Sequence, residues 1–178
     1  MINGRFVTLR RVEPRDFDLV QRWQNDPEVH RWMDYDREFS LHDIDESEQR
    51  ATTEGHPFII EVNGKPLGRT GLNNIRQRDH IASFYIFIGE KDEWGRGYGL
   101  DAVLTVVGWG FETLNLRMIE LWSLADNGRA IKTYQAAGFV EDARLPERSL
   151  HEGKYVDHMV MSVTPERWRQ ALETFRGR

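Results

Sequence analysis

The hydrophobic and polar positions of this chain alternate with a period of two in some segments and recur every three or four residues in others. This pattern predicts a mixture of strands and helices. Alternating or continuous β-type runs predict strands at 6–10, 58–62, 66–72, 81–88 and 118–122. Two later strands are expected on either side of a turn at Glu152-Gly153. Apolar residues spaced by three and four predict helices that begin at Pro14, near Leu41, before Leu100, after Asn127 and at Pro165.

Local signals at the turns and the middle of the chain indicate how these elements are arranged. Asn63-Gly64 separates two strand runs and predicts a hairpin turn, because both residues tolerate positive φ. The run 81–88 is apolar almost throughout, as in a central strand covered on both faces. A single crossover helix and a further strand at 118–122 follow it. This order predicts one domain over residues 1–178, of the mixed α/β (α+β) class.

Composition narrows the class of protein. The 178 residues include no cysteine, which excludes disulfides, thiolate zinc sites and a cysteine nucleophile, and fits a reducing cytoplasm. A net charge of −5 argues against a nucleic-acid-binding surface, which carries a basic excess. No apolar run approaches the ~20 residues of a membrane span, and the first residues do not lead into the apolar core of a signal peptide. We therefore expect a cytoplasmic protein that binds neither membrane nor nucleic acid.

The segment 94–99, Trp-Gly-Arg-Gly-Tyr-Gly, carries the strongest chemical signal. It lies between a strand and an amphipathic helix, where backbone N–H groups and the helix dipole favour an anion such as a phosphate. Three interpretations stay open on the residues alone: a flexible loop without a ligand, a dinucleotide site, and a pyrophosphate loop for coenzyme A. The dinucleotide interpretation gains from an acidic residue, Glu120, but the spacing is G-x-G-x-G rather than G-x-G-x-x-G.

A second motif follows the next predicted strand. Residues 127–139 read N-x-x-A-x-x-x-Y-x-x-x-G-F, on a helix that begins after Asn127 and ends near Gly138. Together with the glycine loop and with Leu9-Arg10, 25–29 and 152–157, this motif resembles the GNAT superfamily of N-acetyltransferases. The closer likeness is to the subgroup of ribosomal-protein alanine and polyamine acetyltransferases, and it extends over nearly the whole chain.

The resemblance implies a fold, a reaction and a donor site. The fold would be a mixed central sheet of about seven strands, flanked by helices and splayed at its central strands. The reaction would move an acetyl group from acetyl-CoA, without a metal, to a primary amine of a protein N-terminus, a polyamine or a small molecule. The residues implied to bind acetyl-CoA are Ile86, Phe87 and Ile88 for the pantetheine arm, Trp94, Gly95, Arg96, Gly97, Tyr98 and Gly99 for the pyrophosphate, and Asn127, Arg129 and Lys132 beside them.

Two of these implied contacts have alternatives. Trp94 stands where many relatives have Gln or Arg, which removes one side-chain contact but leaves the backbone N–H groups of the loop. Asn127 is also the residue type of an ordinary helix cap, and one side chain cannot easily bind both the pantetheine arm and its own helix.

Tyr134 is the residue to which the resemblance assigns chemistry. A phenol within hydrogen-bond reach of the leaving thiolate would protonate or stabilise it as the thioester breaks. Without the resemblance, Tyr134 would be interpreted as a core tyrosine on the apolar stripe with Ile131 and Ala137. The proton acceptor for the amine is not assigned, because relatives often carry Glu at the position of Ser83. Its candidates are Asp157, Glu120, Tyr85 and the six histidines.

The acceptor side is expected near an acidic segment. Residues 34–48 hold seven carboxylates against one cation, Arg37. The candidate acceptor contacts are Asp34, Tyr35, Asp36 and Glu38, since carboxylates and aromatic faces attract a cation. The alternative is a solvated helix face. Two functions follow: an N-acetyltransferase, or a non-catalytic acyl-CoA sensor on the same fold, which turnover of an amine would distinguish. The likeness is also compatible with a homodimer.

Overall fold

The computed structural model of the chain describes residues 1–33 and 37–177. The strands are β1 (Ile2–Asn3), β2 (Thr8–Arg11), β3 (His56–Val62), β4 (Lys65–Arg76), β5 (Ile81–Ile88), β6 (Met118–Leu124), β7 (Val140–His151) and β8 (Lys154–Val163). The helices are α1 (Phe17–Asn25), α2 (Pro27–His30), α3 (Leu41–Glu54), α4 (Tyr98–Thr113), α5 (Gly128–Ala136) and α6 (Pro165–Arg176), with short 3-10 turns at Pro14–Asp16 and Lys91–Glu93.

The described strands form one sheet in the order β1-β2-β3-β4-β5-β6-β8-β7. Within the described ranges, each neighbouring pair is antiparallel except β5 and β6. The β5–β6 pairing covers only Ile81↔Met118 to Ser83↔Glu120, while β5 continues beside β4 as far as Ile88. The predicted mixed sheet and its central splay are confirmed. The strand beyond the seven expected is the two-residue β1, which pairs with β2.

The main hydrophobic core lies on the sheet face covered by α4, α5 and α6. Val103, Val107 and Phe111 of the predicted α4 stripe are buried there. Trp168 of α6 packs against Phe111 with ring centroids 6.0 Å apart, and its indole N–H donates to the Leu104 carbonyl at 2.9 Å. Each fully buried large apolar side chain contributes about 1.5–3 kcal/mol, so α4 is held firmly behind the glycine loop that precedes it.

The opposite sheet face carries α1 and α3. Val20, Trp23, Ile44 and Ile59 form a second buried cluster there. Trp23 meets the Phe87 ring edge-on at 6.3 Å, and its indole N–H donates to Glu90 at 2.8 Å. Since Phe87 lies on β5, this strand is covered from both sides, as its apolar sequence predicts.

The predicted turns and most element boundaries agree with the structure. Asn63 and Gly64 have φ of +51° and +77°, as the hairpin interpretation requires. β4 and β6 run past their predicted ends at 72 and 122, to Arg76 and Leu124. The reason is pairing with distant neighbours: Asn73 pairs with β5, and Leu124 pairs with β8. No helix in the ranges 1–33 and 37–177 is both long enough and apolar enough to cross a membrane.

Candidate active site

A cavity of about 710 Å³ lies where β5 and β6 separate. Its walls are β5 from Phe84 to Ile88, the glycine loop, the first turn of α4 and one side of α5. Residues of β6 and β8, and the segment that follows α2, complete the lining. The cavity therefore contacts elements from both faces of the sheet, at the place where the splay leaves the β5 backbone without a strand partner on that side.

The glycine loop forms one end of this cavity. Gly95 and Gly97 have φ of +79° and +86°, a conformation that residues with a Cβ adopt only with strain. A Cβ at either position would meet no atom within 4 Å, so the space beside the loop is open. α4 begins directly after Gly97 without a side-chain cap, which leaves N–H groups of its first turn to bind an anion. These residues fit a pyrophosphate.

Arg96 departs from the expected arrangement of the loop. The other predicted loop residues line the cavity, but Arg96 does not. Its side chain is 60% exposed, and its Nε lies 3.3 Å from the Glu93 carboxylate. The expected direct contact of Arg96 with the donor is therefore not reflected in the cavity lining, where its partner Glu93 lies instead.

Trp94 connects two elements that the sequence does not place together. Its indole N–H donates to the Ile88 carbonyl at 2.8 Å, so the ring lies against the splayed end of β5. The Arg129 guanidinium carbon lies 3.8 Å from the Trp94 ring centroid, and burial lowers the pKa of Arg129. The loop, β5 and the start of α5 are joined in this way beside the cavity.

The start of α5 supplies the other predicted donor contacts. The Asn127 side-chain oxygen accepts a hydrogen bond from the Ala130 N–H at 3.2 Å, so Asn127 caps its own helix. Asn127, Arg129 and Lys132 line the cavity. Since its oxygen is engaged in the cap, Asn127 has its amide N–H₂ group to offer a ligand.

Tyr134 lies one turn further along α5, in the wall of the cavity. It is 9% exposed and packs edge-on against Phe84 at 6.1 Å, so it is also part of the core, as the alternative interpretation states. Burial raises the pKa of Tyr134 to about 12. The side chain is thus a neutral phenol throughout the physiological range, able to donate a hydrogen bond.

Another part of the cavity lining is largely aromatic. Trp32, Met33, Tyr85, Trp122 and His158 line it. Trp122 is 57% exposed, and its ring lies 6.1 Å from that of His158. Aromatic faces attract cations, and this attraction strengthens where water is excluded. This aromatic part of the lining is therefore suited to an ammonium group.

A buried ion pair lies behind this aromatic wall. The Arg69 guanidinium stacks on the Tyr85 ring at 4.9 Å and forms an ion pair with Glu48 at 2.7 Å. Burial raises the pKa of Glu48, and the charge of Arg69 opposes this rise. The pair fixes Tyr85 from the side away from the cavity.

The predicted acidic contacts are only partly covered by the structure. Asp34, Tyr35 and Asp36 lie outside the described residues. Glu38 is exposed and does not line the cavity, contrary to the expectation for it. The cause is local: the Asn25 side chain brackets the Phe39 backbone with two hydrogen bonds of 2.8 Å, which fixes this segment on α1.

His158 is the site residue that the sequence analysis had only grouped with the other histidines. Its Nε2 lies 2.7 Å from the Ser149 hydroxyl on β7. Met159 and Met161 face the core, so strand alternation places His158 on the other face. That alternation is the signal that separates His158 from the remaining histidines.

The carboxylates considered as proton acceptors lie elsewhere. Glu120 lies 3.5 Å from Arg76, and Asp157 accepts the Glu147 N–H at 3.1 Å. Neither lines the cavity. In the part of the chain that is described, no group of three or more His, Cys, Asp or Glu residues is placed to hold a metal ion.

Comparison with known proteins decides the family. Residues 7–140 match the family model described as the acetyltransferase (GNAT) domain. The chain belongs to this family. The family predicted from the sequence is therefore confirmed, and the protein is an acetyltransferase.

Individual relatives cover nearly the full chain. Spermidine N(1)-acetyltransferase of Vibrio cholerae is 27% identical over 173 residues, which is 94% of this chain and 98% of the relative. L-amino acid N-acetyltransferase of Escherichia coli is 26% identical over 88% of this chain and 96% of its own. The Vibrio cholerae spermidine N-acetyltransferase structure with CoA and spermine matches with a TM-score of 0.85 at 23% identity, covering 92% of this chain and 98% of that one. The structure of Mycobacterium smegmatis RimJ with CoA-disulfide matches with a TM-score of 0.84 at 19% identity, covering 96% of this chain and 88% of that one.

Proposed function

We propose that this acetyltransferase moves the acetyl group of acetyl-CoA directly to a primary amine of a small cationic acceptor of the polyamine type. The observation that carries the proposal is the composition of the cavity lining at the splay. The lining combines an open glycine loop and an uncapped helix start with Tyr134 and a set of aromatic side chains.

Acetyl-CoA is the acetyl donor, and its parts correspond to the donor end of the cavity. The pyrophosphate binds the backbone N–H groups of 95–99, with Arg129 and Lys132 near enough to add positive charge. The pantetheine arm lies along Ile86–Ile88, whose backbone pairs with β4 on one side and has no β6 partner on the other. The Asn127 amide donates to the same arm. Arg96, which is exposed and pairs with Glu93, adds positive charge beside the loop.

Tyr134 acts on the leaving group. The amine nitrogen attacks the thioester carbon, the C–N bond forms, and the C–S bond breaks. Negative charge develops on sulfur during this step, and the neutral phenol donates a hydrogen bond to it. A hydrogen bond that strengthens as charge develops lowers the barrier rather than the ground state.

The acceptor enters from the side of Trp32, Tyr85 and Trp122, where aromatic faces replace part of the hydration of an ammonium group. A relative of 27% identity acts on spermidine, which supports an acceptor with several amines. Asp34, Tyr35 and Asp36 precede α3 and are proposed to meet the second charge of such an acceptor. A cytoplasmic location and a homodimer remain predictions.

A panel of amines tests the proposal, with thiol release from acetyl-CoA as the readout. Spermidine and spermine should give the highest kcat/KM, ahead of a peptide with N-terminal alanine and of free amino acids. An uncharged primary amine of similar length is the matched control for the aromatic wall. Thermal stabilisation by acetyl-CoA without thiol release from any amine would favour the sensor function instead.

A further inference from the structure

We infer that His158 accepts the proton of the acceptor ammonium group, and that Ser149 positions the imidazole for this step. This inference rests on the proposed function and adds the proton acceptor that it lacks. Three observations carry it: the ring lines the acceptor end of the cavity, Ser149 holds one of its nitrogens, and the other cavity groups are unsuited to the task.

An amine needs a proton acceptor because it is mostly an ammonium ion at neutral pH and attacks only as the free base. The titratable side chains that share the cavity with His158 are Tyr85, Glu93, Tyr98, Arg129, Lys132 and Tyr134. Phenols, guanidinium and ammonium groups are already protonated near neutrality and cannot accept a further proton. Among the described lining residues, this leaves Glu93 and His158.

Glu93 lies at the wrong end of the cavity. It belongs to the loop at the donor end, where its carboxylate pairs with Lys65 at 3.2 Å and with Arg96 at 3.3 Å. His158 lies beside Trp122 in the aromatic wall.

The Ser149 hydrogen bond defines which nitrogen reacts. The contact joins Ser149 Oγ to His158 Nε2 at 2.7 Å. We assign the proton of the neutral ring to Nε2, which donates it to Oγ, and the proton-accepting role to Nδ1. In this tautomer Ser149 accepts from Nε2 both before and after protonation, so the imidazolium forms without a change of partner.

The proton balance closes over one turnover. The ammonium gives one proton to Nδ1, and the free amine then attacks the thioester carbon. The attacking nitrogen loses its second proton to water, and the departing thiolate accepts a hydrogen bond from the Tyr134 hydroxyl. The thiolate then takes one proton from water and becomes the CoA thiol. The imidazolium returns its proton to water, so one proton is released for each acetyl group transferred.

The test compares His158→Gln with the wild type across pH 6.5–9.5, following thiol release at saturating acetyl-CoA with spermidine as acceptor. At pH 7 the variant should lose ~10²-fold or more in kcat/KM for spermidine, the usual contribution of a positioned base. The loss should shrink as pH rises, because solution then supplies the free amine. KM for acetyl-CoA should stay within twofold. His42→Gln is the matched control, since His42 lies on α3 with its side chain 78% exposed.

Ser149→Ala gives a second, milder perturbation that removes a single oxygen. It should lower kcat at pH 7 by ~10-fold with the same narrowing at high pH, while Ser149→Thr, which keeps the hydroxyl, should recover most of the loss. A loss in His158→Gln that is equal at every pH would assign the histidine a structural role and overturn the inference. Wild-type turnover in His158→Gln would overturn it too, but would leave the proposed function intact. An inactive wild type would overturn both.

Discussion

Replacing Tyr134 with phenylalanine separates its chemical role from its packing role. The ring contacts with Phe84 and Phe139, at 6.1 and 6.0 Å, do not depend on the hydroxyl. Stability at neutral pH should therefore change by no more than about 1 kcal/mol, the net worth of a hydrogen bond. Acetyl-CoA affinity should be unchanged, because the hydroxyl interacts mainly with charge that develops during the reaction.

The size of the catalytic effect follows from the burial of the phenol. With a pKa of about 12, Tyr134 is a weaker acid than a free thiol of pKa ~8.5, so complete proton transfer to sulfur is uphill. Hydrogen bonding to the developing thiolate remains, and such charge-assisted bonds contribute about 1.5–3 kcal/mol. At ~1.4 kcal/mol per factor of ten, kcat should fall by ~10¹–10²-fold.

The assay is single-turnover thiol release at saturating acetyl-CoA, with bound acetyl-CoA measured separately by titration. A loss of kcat at unchanged affinity supports the role in the transition state. A loss of less than about threefold in kcat would refute it and reduce Tyr134 to a core residue. Weak acetyl-CoA binding with normal kcat would instead make Tyr134 a donor contact.

Tyr134→Phe should also change the pH dependence of stability, because the Tyr134 hydroxyl is buried. The folded-state pKa of about 12 exceeds the model-peptide value of 10.0, so the unfolded chain loses this proton first. The corresponding stability is complete below pH 10 and is lost between pH 10 and about 12. Denaturant unfolding of Tyr134→Phe should therefore decline less over that interval than the wild type does. Parallel declines would contradict the burial of the hydroxyl.

Two further predictions concern the two ends of the cavity. Gly97→Val should abolish the rise in Tm caused by acetyl-CoA, whereas Gly153→Val, with φ of +78° and equally open space in a turn that does not line the cavity, should keep it. Loss of the rise in both variants would mean that strain, not the loop, is responsible. KM for spermidine should increase with salt, since exposed charges are screened over ~8–10 Å, and charge reversal at Asp34 and Asp36 should increase it further. A flat salt dependence would make this segment a solvated surface.

Much of the fold and half of the site could be predicted because their signals are local. The Asn63-Gly64 turn, the Asn127 cap and the glycine loop each depend on residues within a few positions of one another. The apolar stripe of α4 is predicted from spacings of three and four residues alone. For these features the sequence pattern and the structure agree.

The contacts that the sequence could not provide join distant segments. Trp94 reaches Arg129 only because the chain crosses over through α4 and β6, and Ser149 reaches His158 only through the β7–β8 pairing. The sequence pattern predicts that Trp94 lacks a side-chain contact to the donor, while in the structure Trp94 contacts Ile88 and Arg129. Glu38 was expected in the site on charge alone, but a side chain from α1 fixes the backbone beside it.

The central claim is direct transfer of the acetyl group from acetyl-CoA to the amine, and isotope tracing measures it most directly. Wild-type protein is incubated with acetyl-CoA labelled in the acetyl carbons and with spermidine, and the amine, the protein and free acetate are analysed by mass spectrometry. We predict label in an amide of spermidine, one CoA thiol for each amide, and unlabelled protein. Label on the protein, or thiol release that yields only free acetate, would contradict the account.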